Sequence, residues 1–155
     1  MKDPLYTYLR LKAESLTDLA AVSALVQDAV LRVEDMAFQP KRHRFALIAN
    51  RFRWEGELAG KARPKNAPEG ERVRTALRFE GVLKVRARNI PFKIKSQVLE
   101  LLALEAKTAP GGFRVTLAFA GNAGVELWCE VIEAYLEDLT GPWPARKRPS
   151  HAIGA

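Results

Sequence analysis

Between Val73 and Arg88 no odd-numbered position carries a charge, while Arg74, Arg78, Lys84, Arg86 and Arg88 fall on even ones. A strand sends successive side chains to opposite faces, so a period of two builds a sheet with one apolar and one basic side. The parity continues through Glu80-Gly81. A two-residue hairpin there would set Leu77 beside Lys84 on one face, so a strand bent at Gly81 or a three-residue loop fits better, and the bent strand is the expectation.

The rest of the chain supplies further elements. Leu5, Thr7, Leu9, Leu11 and Ala13 alternate with polar neighbours, as in a strand with one buried face. Ser15 offers an N-cap hydroxyl with Asp18 three residues on, and Leu16, Leu19, Val22, Val26, Ala29 and Val30 recur at helical spacing, which predicts a helix to about Leu31. Met36 and Phe38, then a turn at Pro40 to His43, then Phe45, Leu47 and Ala49, read as a hairpin ending near Trp54. Val98 to Ala106 and Phe113 to Phe119 read as two strands joined through Pro110-Gly111. Glu126, Glu130, Glu133 and Glu137 lie at spacings of four, three and four opposite Trp128, Val131, Ile132, Tyr135, Leu136 and Leu139, the pattern of an amphipathic C-terminal helix. The expected fold class is therefore α+β: an antiparallel sheet of about six strands with one helix in the N-terminal half and one at the C-terminus.

A chain of 155 residues suits one domain, taken as residues 1–143, with 144–155 as a basic flexible tail and 55–71, rich in Gly and Pro, as a mobile loop. There is no apolar run long enough to span a membrane and no leader pattern, so a cytoplasmic protein without a membrane partner is expected. Cys129 is the single cysteine, which excludes an internal disulfide and a Cys-based structural zinc.

No constellation specifies a reaction. Gly56 to Ala62 imitates a phosphate loop but has three residues between its glycines and Ala62 where Ser or Thr must hold magnesium. His43 and His151 stand without a Ser, Cys or Asp at triad spacing, Cys129 reads as a small core residue, and the four glutamates lack a Glu-x-x-His to make a metal site. No cofactor, metal or catalytic residue is expected, although an enzyme whose site gathers distant residues, around Asn50, Asp28 and Arg53, is an alternative.

Charge points elsewhere. Lys41 to Lys95 hold 16 Lys or Arg against 5 Asp or Glu, and the remainder holds 9 against 13. Sheet faces of this kind attract anions. Interleaving in Asn50-Arg51-Phe52-Arg53-Trp54 invites comparison with sheets that bind single-stranded nucleic acid by pairing phosphates and stacking bases. Alternation sets Phe52 and Trp54 opposite Arg51 and Arg53, however, which leaves charge without a stacking platform. The expectation is a non-catalytic binding module whose Arg51, Arg53, Arg74, Arg78, Lys84, Arg86 and Arg88 meet a polyanion, either nucleic acid or an acidic protein. The Arg146-Lys147-Arg148 tail adds charge. An oligomer built through the face carrying Tyr6 and Tyr8 is a third reading.

Finally, Leu25-Val26-Gln27-Asp28-Ala29-Val30, Arg44-Phe45-Ala46-Leu47, Asn50 to Glu55, Leu77-Arg78-Phe79 and Phe119-Ala120-Gly121 together resemble a bacterial family catalogued as domain of unknown function 2948. The likeness spans most of the chain. It implies a small standalone bacterial protein and carries over no functional residue.

Overall fold

In the computed structural model, residues 4–55 and 70–145 are described. In chain order they form β1 (Arg10–Ala13), α1 (Leu16–Val26), β2 (Ala29–Arg32), β3 (Met36–Gln39), β4 (Arg44–Phe52), β5 (Glu71–Glu80), β6 (Val82–Arg88), β7 (Val98–Ala109), β8 (Gly112–Phe119), β9 (Ala123–Cys129), β10 (Ala134–Asp138) and β11 (Trp143–Pro144). Residues 56–69 of the expected loop and 146–155 of the expected tail lie outside the described residues.

Among the described residues eleven strands make one sheet and α1 is the one complete α-helix, which overturns the α+β expectation of about six strands and two helices. The N-terminal helix is real: Ser15 Oγ accepts the Asp18 N–H at 3.1 Å, and Leu19, Val22 and Val26 are buried. It stops at Val26 rather than Leu31, because Asp28 adopts a left-handed φ of 63° and turns the chain into β2, where buried Ala29 and Leu31 alternate with Val30 and Arg32.

The expected C-terminal helix is two strands. Val125, Leu127 and Cys129 of β9 are buried, and Ala134, Leu136 and Asp138 of β10 are buried, so the inward parity flips at the corner 130–133. A flip between two period-two segments gives buried Val125, Cys129, Ile132 and Leu136 the spacings four, three and four. That is also a helix's signature, and Glu126, Glu130, Glu133 and Glu137 follow it one position later.

Pairing closes on itself. β6 pairs β9, β9 pairs β8, β8 pairs β7, β7 pairs β2, β2 pairs β4 and β4 pairs β5, while β5 runs directly through Gly81 into β6. β5 and β10 with β9 and β6 thus act as two long bent strands. The bend sits where parity placed it: Gly81 has φ 73°, the Glu80 N–H donates to Glu133 O at 2.9 Å and the Glu130 N–H to Gly81 O at 2.9 Å. One wall comprises β1, β10, β5, β4 and β3; the other comprises β6, β9, β8 and β7. Between them Phe45, Leu47, Leu77, Phe79, Leu101, Leu117, Leu127 and Leu136 join the α1 side chains in one core. The helix lies along β7, whose Leu104 N–H donates to Ser23 Oγ at 2.9 Å. Neither α1 nor any other described helix is long and apolar enough to cross a membrane.

Candidate functional site

The bend at Gly81 divides the basic residues. Arg74 and Arg78 project from the first wall, whereas Lys84, Arg86 and Arg88 project from the second. Arg51 and Arg53 lie at the end of β4, where the N-terminal segment closes the core.

Arg51 has no solvent exposure. It follows Phe45, Leu47 and Ala49 inward, and its Nε and Nη2 each donate to Asp138 at 2.9 Å. Glu55 accepts from the same guanidinium at 2.8 and 2.9 Å, and Tyr6 Oη accepts from it at 3.1 Å while donating to Asp138 Oδ2 at 2.5 Å. Burial would raise the Asp138 pKa, but Arg51, Tyr6 and the Leu9 N–H hold it below the ordinary carboxylate value. Burial, then Asp138, pushes the Tyr6 hydroxyl well up. Among the described residues this cluster satisfies its own charge, with Arg51 and Asp138 fully buried and Glu55 partly exposed. Phe52, expected opposite Arg51, is buried too, packed edge-on to Trp54 and beneath Arg72.

The other first-wall cations are also engaged. Arg53 donates to Glu71 at 2.7 Å with its Cζ 5.1 Å from the Tyr6 ring centroid, and Arg78 pairs with Glu80 at 3.1 Å and stacks on Tyr135 at 4.4 Å. Arg74 donates to Asn50 Oδ1 at 3.2 Å. Both line a cleft of 450 Å³ with Arg32, Glu34 and Asp35, where β2 and β4 part after their one paired position, Val30 with Asn50. Mixed charge in that cleft favours neither sign. Asp28, Asn50 and Arg53 do not converge on it: Asp28 and Asn50 both offer backbone carbonyls to Arg72 Nη1, at 2.9 and 3.2 Å, and Arg53 lies against Tyr6.

The second wall is different. Register places Lys84, Trp128, Arg114 and Lys107 in one row across β6, β9, β8 and β7. Lys84 Nζ stands 4.9 Å and Arg114 Cζ 5.1 Å from the Trp128 ring centroid, so the indole holds two cations from the strands flanking it. No carboxylate enters this row. The next row, Arg86, Glu126, Thr116 and Glu105, is mixed. In the third, Arg88 crosses Gly124, where a Cβ would come within 3.5 Å of its Nη2, and Arg88 Nε donates to Asn122 O at 3.2 Å. Arg86, Arg88, Thr116 and Glu126 line a small cleft of 210 Å³ over that glycine.

Sequence reasoning passed over Arg114, Lys107 and Trp128. Arg114 was within reach, being on the polar parity of a recognised strand; Trp128 was not, because its segment imitated a helix. Cys129 is buried and its thiol is pushed up to about 11 by that burial, so it stays protonated. His43 is exposed in a turn, and His151 lies outside the described residues. Among the described residues no three His, Cys, Asp or Glu side chains gather as metal ligands.

A family model described as protein of unknown function (DUF2948) matches residues 9–151. Neither the curated proteins nor the solved structures yielded a match.

Proposed function

Because the chain belongs to the DUF2948 family, a membership that brings no activity with it, we propose from its own surface that it is a non-catalytic module binding a polyanion across the second wall. The single observation that carries this reading is the acid-free row Lys84, Trp128, Arg114 and Lys107. Three cations in one row across β6, β8 and β7, two of them fixed by one indole on β9, are pre-organised, so less side-chain freedom is lost when phosphates meet them. Arg86 and Arg88 extend the contact along β6. Since Trp128 already carries cations against its ring, the module reads charge and spacing rather than stacking bases. A cytosolic nucleic-acid strand is the partner class that fits. Arg51, Arg53 and Arg78 are spent on internal carboxylates and contribute structure instead.

Fluorescence anisotropy of a labelled single strand at several salt concentrations tests this. With three or four phosphates engaged, log Kobs should fall against log salt with a slope of about −2 to −3. Lys84→Glu with Arg114→Glu should weaken binding by about tenfold or more at low salt, by the loss of two phosphate contacts, while Arg78→Gln leaves it nearly unchanged. A flat salt dependence, or equal losses from both variants, would overturn the assignment.

A further inference from the structure

Between β6 and β7 the chain makes a compact turn, Asn89 to Gln97, that carries Pro91-Phe92-Lys93-Ile94-Lys95. Its ends are fixed: Ile90 packs against the core, Val33 N–H donates to Gln97 O at 3.0 Å and Glu34 N–H to Lys95 O at 3.0 Å. Its interior is fixed too, with Phe92 N–H donating to Ile90 O at 2.9 Å, Ile94 N–H to Pro91 O at 2.9 Å and Gln97 N–H to Ile94 O at 3.0 Å. Yet this held turn presents Phe92 at 58% exposure and Ile94 at 53%, with Val98 at 53% just beyond. Nothing in folding requires large apolar side chains at such a tip, where water would favour polar ones.

The cations complete the pattern. Lys93 and Lys95 alternate with Phe92 and Ile94, and both are exposed, as is Arg88 at the end of β6. Glu34, whose N–H reaches Lys95 O, turns its carboxylate to Arg32 at 3.7 Å. We infer that the 89–97 turn is a contact for the surface of an anionic lipid membrane, with Phe92 and Ile94 entering the headgroup boundary while Lys93 and Lys95 meet lipid phosphates. A bilayer accepts two apolar tips without demanding a shaped pocket, and its anionic leaflet draws juxtaposed lysines, so interleaved apolar and basic side chains on a fixed loop suit it better than the contoured surface of a protein. Long lysine stems can lie along the acyl boundary with their ammonium groups at the phosphates. This is a surface contact and involves no membrane crossing. It shares Arg88 with the polyanion reading but uses none of the row Lys84, Trp128, Arg114 and Lys107, and its test rests on Phe92, Lys93, Ile94 and Lys95, which that reading does not use.

Co-sedimentation of the full chain with sonicated vesicles decides the matter. Binding should be weak on neutral phosphatidylcholine and rise about fivefold or more when roughly a third of the lipid is phosphatidylglycerol. Phe92→Ser with Ile94→Ser should lower it by about fivefold while leaving nucleic-acid anisotropy unchanged and the thermal midpoint only slightly lower, because more than half of each residue is already in water. Lys93→Glu with Lys95→Glu is a second variant on an exposed surface and should remove the preference for anionic lipid. Absence of vesicle binding overturns the inference. So does binding that ignores the Phe92 and Ile94 changes but is lost with Lys84→Glu, which would place any lipid phosphate on the second wall.

Discussion

Arg51 and Asp138 stand 87 positions apart and meet as a fully buried pair between β4 and β10. Truncating one partner of such a pair leaves a charge without compensation, at a cost of about 3–5 kcal/mol. Asp138→Ala should fall at the low end, about 3 kcal/mol, since Glu55 still holds Arg51, and Arg51→Met with Asp138→Leu should recover part of that loss; urea midpoints measure both. The pH dependence follows from the directions of the shifts. Asp138 is depressed in the folded state, so its stabilisation is complete above its unfolded value, about 4, and drains as pH falls below it. Tyr6 is raised, so its contribution is complete below about pH 10 and is lost as pH climbs further. Tyr6→Phe should therefore reduce the alkaline decline, leaving the part that the raised Cys129 thiol contributes, and, by removing a donor to Asp138, move the acid decline to higher pH in a stability profile. Half of this pair was legible in the chain. The alternation of Phe45, Leu47 and Ala49 continues to Arg51 and points it inward, whereas the basic neighbours of Arg51 suggested an outward face. Its partner was hidden, because parity on β10 becomes visible only once that segment is known to be a strand.

Among the elements, the bent strand and the hairpins were readable because alternation runs over many residues, as from Val73 through Phe79 and again from Lys84 through Arg88; between those stretches Val82 turns inward, Leu83 turns outward and the register with β9 shifts, which the alternation of charge did not show. Failure came where two strands meet at a corner that shifts parity. The 130–133 corner made β9 and β10 resemble a helix, and the turn at Asp28 fused β2 to α1. Periodicity measured across a corner mixes phases, so only the pairing partners, β6 and β8 for β9 and β5 and β1 for β10, decide the element type. Turn glycines carry the same lesson in energetic form. Gly111 and Gly112 both have positive φ, but a Cβ on Gly111 meets nothing within 4 Å, while one on Gly112 would sit 2.1 Å from Cys129 O, which belongs to the neighbouring strand β9. Gly111→Ala should cost about 1 kcal/mol from backbone conformation alone. Gly112→Ala must also push β9 away and should exceed that by about 2 kcal/mol or more, visible as a larger drop in the denaturation midpoint. Equal losses would mean that β8 and β9 yield freely.

At the scale of the whole molecule, closing the sheet gives a core with few open edges, but the closure is not equally strong around the ring. β4 and β5 are paired at nine positions from Arg44 to Phe52, whereas β2 and β4 share one, Val30 with Asn50. β2 is tied more firmly to β7, at four positions, and α1 leads directly into it. The ring should therefore open first along the β2 and β4 seam, carrying β2 with α1 and β7 while the first wall stays assembled. Local opening of that kind has a lower free energy than global unfolding and shows in amide exchange. Amides that bond across the Val30 and Asn50 pair should exchange faster, by about tenfold or more, than the other amides of β2, which stay paired with β7, and than those of Phe45 to Ala49 and Val73 to Phe79, which would share the slowest, globally limited rate. If the amides of that pair exchanged as slowly as β5, the seam would be as strong as the walls, and cooperativity would have to come from the core packing shared by both, with Leu31, Leu47 and Leu101 fastening across the gap what the hydrogen bonds do not.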